Sequence, residues 1–170
     1  MTVKVRAEAD RDQGAVHAIN VAAFGRCEEA KLVDLLRARA EPLVSLVAED
    51  NAAVVGHIMF TPVSLAGYRG LIMGLAPMAV EPRRQRAGIG SALVRAGLER
   101  CRDLGAAAAV VLGHPGYYPK FGFAPAARYG LSCEYDVPAE AFMALETLPG
   151  ALRGASGKVK YHAAFGEVDA

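Results

Sequence analysis

The residues best suited to chemistry lie in one stretch, Val80-Glu81-Pro82-Arg83-Arg84-Gln85-Arg86-Ala87-Gly88-Ile89-Gly90-Ser91-Ala92-Leu93. An apolar run from Leu71 to Val80 leads into a glycine-bearing turn, after which Ile89, Leu93, Val94 and Leu98 recur at helical spacing. A turn that opens a helix aims several backbone N–H groups and the positive end of the helix dipole at one point, and that point suits an anion. Between Pro82 and Arg102 there are six arginines, at 83, 84, 86, 95, 100 and 102, against the single acid Glu99. A local surplus of five positive charges in a chain of net charge +1 points to a polyphosphate ligand, the alternative being a solvated turn.

The motif excludes two common nucleotides by what it lacks. A dinucleotide turn needs a third glycine, where Leu93 stands, and an acid about 20 residues on, where Val110-Val111-Leu112 has none. A Walker A loop needs a lysine, and none occurs between Lys31 and Lys120. A second unusual stretch, Gly113 to Gly130, is rich in glycine and proline yet holds five of the chain's twelve aromatics: Tyr117, Tyr118, Phe121, Phe123 and Tyr129. That composition describes a packed turn or a ligand wall.

Gln85-x-x-Gly88-x-Gly90 after Met78-Ala79-Val80, followed some thirty residues on by Tyr118-Pro119-Lys120-Phe121-Gly122-Phe123, resembles the GNAT superfamily of N-acetyltransferases. The run Leu112 to Pro119 and the ending Val159 to Phe165 further resemble its YhbS-like branch. The resemblance implies a mixed, mostly antiparallel α/β sheet flanked by helices on both faces, with a splayed central strand pair. It also implies acetyl-CoA as cosubstrate, no metal, and transfer of acetyl to a small-molecule or peptide amine. In that family the turn, here Gln85, Arg86, Ala87, Gly88, Ile89, Gly90 and Ser91, binds pyrophosphate, while the backbone near Met78, Ala79 and Val80 holds the pantetheine. Arg83, Arg84 and Arg86 then suit the outer phosphates. Members often dimerise, so a homodimer is the assembly the resemblance allows.

Attack of an amine on a thioester needs a proton removed from nitrogen and a donor for the departing thiolate. By match to the motif, Tyr118 stands where a tyrosine commonly serves the sulfur. Some members carry a glutamate base about eleven residues before the motif glutamine, and here that position is Gly74. Glu28, Glu29, His114 and water relayed to solvent are the remaining candidates, histidine being the side chain that ordinarily titrates nearest neutrality. A backbone N–H near Met78 or Ala79 is the expected oxyanion donor. Phe24, Tyr129 and Phe165 are candidate pocket walls. A noncatalytic acyl-CoA-binding or sensing module is the alternative, and it would not need Tyr118.

The elements that must position these residues are readable in outline. Val3, Val5 and Ala7 predict a strand; Asp10 and Gln13 resemble a capping box opening a helix with Val16, Ile19 and Ala23; Glu28 to Arg39 forms a second helix. Leu43 to Ala48 and Ala53 to Phe60 predict a hairpin, Leu71 to Val80 a buried strand, Gly88 to Arg102 a crossover helix and Ala106 to Leu112 another strand. Leu131 to Val137 reads as a strand, Pro138 to Leu145 as a helix and Lys158 to Phe165 as a last strand. Pro77 has no N–H to give to a ladder and predicts a bulge or an opening in its strand.

Composition sets the outer bounds. One domain spanning 1–170 suits a length of 170 residues and a 53% hydrophobic content. Near-neutral charge argues against nucleic acid as a partner. Charges at Lys4, Arg6, Glu8 and Asp10, and an uncharged stretch from Asn51 to Tyr68 broken by Gly56, His57 and Pro62, argue against membrane insertion and predict a cytoplasmic protein. Cys27, Cys101 and Cys133 have neither disulfide nor zinc spacing.

Overall fold

The computed structural model describes residues 3–168. Its main sheet grows from the hairpin expected around residues 49–51: Val44–Asp50 (β2) pairs antiparallel with Ala53–Val63 (β3). Val3–Ala7 (β1) pairs with β2 on the outer side, and Ile72–Val80 (β4) pairs with β3 on the inner side. The helix Ile89–Asp103 (α3) crosses the sheet, so that Ala108–Leu112 (β5) returns parallel to β4. Ala124–Pro125 (β6), Leu131–Cys133 (β7), Phe142–Glu146 (β8) and Gly157–Val159 (β9) complete the strands among the described residues. The order is β1-β2-β3-β4-β5-β8-β6, with β7 and β9 paired in a small separate sheet.

Alternation along β3 sorts side chains between two layers. Ile58 and Phe60 pack with Leu46, Leu93 and Val94 beneath α3. Met59 packs with Val47 on the opposite face, against Val16 of Gln13–Phe24 (α1) and Leu36 of Glu28–Arg39 (α2). Helices therefore cover both faces of a mostly antiparallel sheet, as expected. No helix among the described residues is long and apolar enough to cross a membrane.

Four local expectations need correction. Pro138 to Leu145 is not a helix: a short turn at Ala139–Ala141 leads straight into β8, whose Phe142, Met143 and Ala144 are buried between β5 and β6. A short apolar run carries no periodicity that separates strand from helix, and tertiary pairing decides it. The strand expected from Lys158 to Phe165 reaches only Val159, because His162 Nδ1 accepts the Ala164 N–H at 3.0 Å and starts a tight turn. The strand expected from Leu131 to Val137 stops at Cys133. The helix α1 is entered through Asp12 instead of Asp10. Asp12 Oδ2 accepts the Ala9 N–H at 2.7 Å, and the carboxylate is gripped by Arg6, which holds it well below the usual range, at about 2.

The feature that shapes the site lies in the middle of the sheet. β4 and β5 pair only from Ile72–Ala108 to Leu75–Val111, although β4 runs on to Val80. Opposite, the register with β3 steps from Phe60–Leu75 to Ile58–Met78, so that Ala76 and Pro77 together face Met59 alone. This is the bulge that Pro77 predicts, and beyond it β4 parts from β5. Strand alternation settles which groups face the gap. Glu81 N–H donates to Val55 on β3, so the backbone groups of Ala79 also point to β3, while those of Met78 and Val80 point to the side that β5 has vacated.

Below this region His57 is fully buried on β3. Its Nε2 lies 2.9 Å from Ser45 Oγ, which donates to Glu8, and its Nδ1 lies 3.4 Å from Asn20 Nδ2. Burial, helped by the Arg37 charge, lowers its pKa from 6.5 to about 3. The folded ring therefore stays neutral where the unfolded one is protonated. Its contribution is complete above the unfolded value and is lost as pH falls toward about 3. Urea unfolding at pH 7.5 and 5 is expected to show a loss of about 2 kcal/mol at the lower pH. The His57→Gln protein should lose less over the same interval.

Candidate active site

Two cavities open where β4 and β5 part. The first, of about 630 Å³, lies over the start of α3, between Met78, Ala79 and Val80 on one side and Gly88, Gly90 and Ser91 on the other. Gly88 precedes the helix at φ 86°, a conformation that favours glycine, and no side chain caps the helix. The N–H groups from Gly88 to Ser91 therefore lack an intrahelical acceptor, and a Cβ built on Gly88 would meet nothing within 4 Å. Gln85 Nε2 donates to the Val80 carbonyl at 3.2 Å and ties the turn to the end of β4. On the far wall the Tyr117 hydroxyl lies 3.3 Å from Ser91 Oγ, and Lys120 Nζ sits 4.0 Å from the centre of the Tyr117 ring.

The second cavity, of about 570 Å³, continues through the gap on the α1–α2 side. Leu75, Ala76 and Pro77 of β4 face Val111 and Leu112 of β5 there, and Phe24, Leu32, Tyr135 and Phe165 close it. Phe24, Met78 and His114 border both cavities and mark their junction. Tyr118 lines the second cavity. Its ring lies against Gly113, where a Cβ would stand 2.3 Å from Tyr118 Cε2, and it meets Tyr117 and Phe123 edge-on at 5.0 and 5.7 Å. Burial pushes the phenol up to about 12, so it is a proton-bearing donor at neutral pH.

An uncapped helix start facing an unpaired strand edge, with a second cavity adjoining, is an arrangement for a long anionic ligand and a second reactant. The acetyltransferase (GNAT) family profile matches residues 14–123. The chain belongs to the GNAT acetyltransferase family. It is 35% identical to the uncharacterized N-acetyltransferase YhbS of Escherichia coli K12 over 162 residues, 95% of this chain and 97% of that one. Its fold matches the structure of E. coli YhbS in complex with CoA at a TM-score of 0.90, with 34% identity and 96% and 92% of the two chains covered. A GNAT acetyltransferase from Brucella melitensis in complex with acetyl-CoA matches at 0.80, with 36% identity and 96% and 98% covered.

The GNAT motif residues fall unevenly around the site. Met78, Ala79, Val80, Arg84, Gln85, Arg86, Gly88, Gly90, Ser91 and His114 line the first cavity. Ala87 and Ile89 do not, Ile89 being buried under the sheet, so they offer the ligand only backbone. Ala79 is excluded as an oxyanion donor because its N–H faces β3, which leaves Met78. The arginines do not converge as their spacing suggests. Arg83 is exposed outside the cavity, Arg84 Nη2 holds Asp50 Oδ2 at 2.6 Å, and Arg95 lies 5.0 Å over the Phe121 ring. Arg100 and Arg102 sit in the last turn of α3, roughly 16 to 20 Å along the axis from its first residue. Arg86 and Lys120 are the cavity's other cations.

At Gly74 the space for a side chain is already taken: a Cβ there would lie 2.8 Å from Val63 Cγ1 and 2.9 Å from the Tyr161 ring. Glu28, Glu29 and Phe165 do border the second cavity, as anticipated, but Tyr129 lies by a separate depression with Arg128 and Arg153. Tyr117 of the aromatic turn does form a wall, of the first cavity, while Lys120 and Tyr135 are walls that the sequence does not mark. Lys120 lies inside the aromatic turn; Tyr135 gives no signal, its neighbours reading as a strand.

Proposed function

We propose that this protein transfers an acetyl group from acetyl-CoA to a primary amine by direct attack on the thioester. The observation that carries this reading is the junction at Met78 and His114. There an unpaired strand edge and an uncapped helix start converge on one cavity while a buried tyrosine faces the next. A module that only binds acyl-CoA needs neither the second cavity nor Tyr118.

The pyrophosphate belongs at the N–H groups of Gly88 to Ser91, where the helix dipole adds its field. The pantetheine belongs along Met78 and Val80, whose backbone groups replace the pairing that β5 withdraws. This places the thioester at the junction, with the Met78 N–H able to donate to the carbonyl oxygen as it gains charge. The amine must first lose a proton. His114, on the border of both cavities, stands to accept it, and Glu28 and Glu29 face the same space. The nitrogen then bonds to the carbonyl carbon and gives up its second proton to water, the C–S bond breaks, and its electron pair leaves on sulfur. Transfer from a phenol at about 12 to a thiolate near 8.5 is uphill by between about three and four orders of magnitude. Tyr118 therefore stabilises the thiolate by hydrogen bonding, and the proton removed from nitrogen reaches sulfur through water.

The Tyr118→Phe protein is expected to bind CoA as the parent does and to turn over about 10- to 1000-fold more slowly. Because burial raises the phenol, the donor form persists as pH rises, and the parent's rate should show no alkaline loss attributable to Tyr118 below about pH 11. Parent-like turnover of Tyr118→Phe would reduce Tyr118 to a wall. For the cofactor, calorimetry on Gly88→Glu should show lost CoA binding in a folded protein. Replacing Arg86 and Lys120 by glutamine should flatten the salt dependence of CoA affinity. Replacing Arg83 alone should leave that slope unchanged.

A further inference from the structure

Four large apolar side chains stand exposed among the described residues, Phe24, Leu104, Tyr135 and Leu148, and two of them, Phe24 and Tyr135, border the second cavity. Large apolar groups that meet at one opening mark a place where a ligand covers them. The wall is held in place from behind: the Tyr161 ring packs on both Tyr135 and Phe165, at 6.0 and 5.2 Å. Deeper in, Leu32, Leu75, Pro77 and Val111 offer no hydrogen-bonding side chain. A sugar or polyamine body would leave its polar groups unpaired against them. At about 570 Å³ the space is that of a small-molecule site.

The charged border has a sign. Arg26 engages Glu29 with two contacts, Nε–Oε1 at 3.0 Å and Nη2–Oε2 at 2.6 Å, and reaches Glu28 only at 3.5 Å. Two carboxylates against one guanidinium leave an excess of negative charge, with Glu28 the less neutralised. That border attracts an ammonium group and repels a carboxylate.

We propose that the second cavity takes a primary amine with an uncharged apolar body about the size of a phenylethyl group, with no carboxylate beside the nitrogen. The proposal rests on the acetyl-transfer reading above. The nitrogen lies at the junction by Met78 and His114, the body lodges between Phe24, Tyr135 and Phe165, and Glu28 draws the cation to the opening.

The test separates binding from chemistry. Calorimetry on the CoA-loaded protein, and thiol release from acetyl-CoA, are measured with 2-phenylethylamine, ethylamine, phenylalanine, spermidine and a lysine-containing peptide. Both affinity and kcat/KM are expected to favour 2-phenylethylamine over each of the others by at least about tenfold. Tyr135→Ala should erase most of its advantage over ethylamine, and Glu28→Gln should raise KM for both amines; unchanged CoA affinity verifies that each variant is folded. Equal or better binding of spermidine, phenylalanine or the peptide overturns the assigned class. So does a Tyr135→Ala protein that keeps the parent's discrimination. Tight, selective binding of 2-phenylethylamine without any acetylation supports the assigned ligand and overturns the acetyl-transfer reading instead.

Discussion

The parting of β4 from β5 after Leu75 is the constraint on which the rest of the site depends. A parallel strand pair in the middle of a sheet normally satisfies its backbone along its whole length, and leaving that ladder unmade is costly unless something else takes the groups. Here Ala76 and Pro77 face one residue of β3, which bends β4 away while keeping its other edge paired. The result is a slot lined by backbone donors and acceptors on the Met78 and Val80 side. The crossover helix α3 begins at the same end of β4 and adds its own unpaired N–H groups. One irregularity thus creates the slot, the junction and the second cavity together.

The electrostatics follow from backbone more than from side-chain charge. The arginine cluster looks in sequence like a dense positive field, yet the fold spends Arg84 on Asp50, lays Arg95 over Phe121 and carries Arg100 and Arg102 to the far end of the helix. The helix dipole and four uncapped N–H groups remain, supplemented by Arg86 and Lys120. Tyr118 shows the same economy. Packing against Gly113 and Phe123 raises its pKa, which suits it to donating a hydrogen bond and unsuits it to giving up a proton.

Much of this is legible in the sequence. The hairpin, the buried β4, the crossover helix and the Pro77 bulge follow from patterns whose physical cause is local: alternation, helical spacing, a missing N–H. The elements after Cys133 were not, because Phe142–Glu146 and Gly157–Val159 are short and owe their form to neighbours far away in sequence. The glycine-bearing turn reads as a helix start and is one, but sequence spacing cannot say which side a side chain takes, so the arginine cluster does not show that Arg83 stands outside the cavity. The absence of a base at Gly74 was visible. Its reason, the Tyr161 ring lying across that position from the other end of the chain, was not.

The central claim is that the gap between β4 and β5 seats the thioester at the junction of the two cavities. A crystal structure of the protein with bound CoA tests it most directly. The account predicts the pyrophosphate within hydrogen-bonding distance of the Gly88 to Ser91 N–H groups, the pantetheine paired with Met78 and Val80, and the sulfur beside the Tyr118 hydroxyl. A CoA whose sulfur lies away from the Met78–His114 junction, or whose phosphates are held by Arg83 and Arg84 outside the helix start, would contradict it.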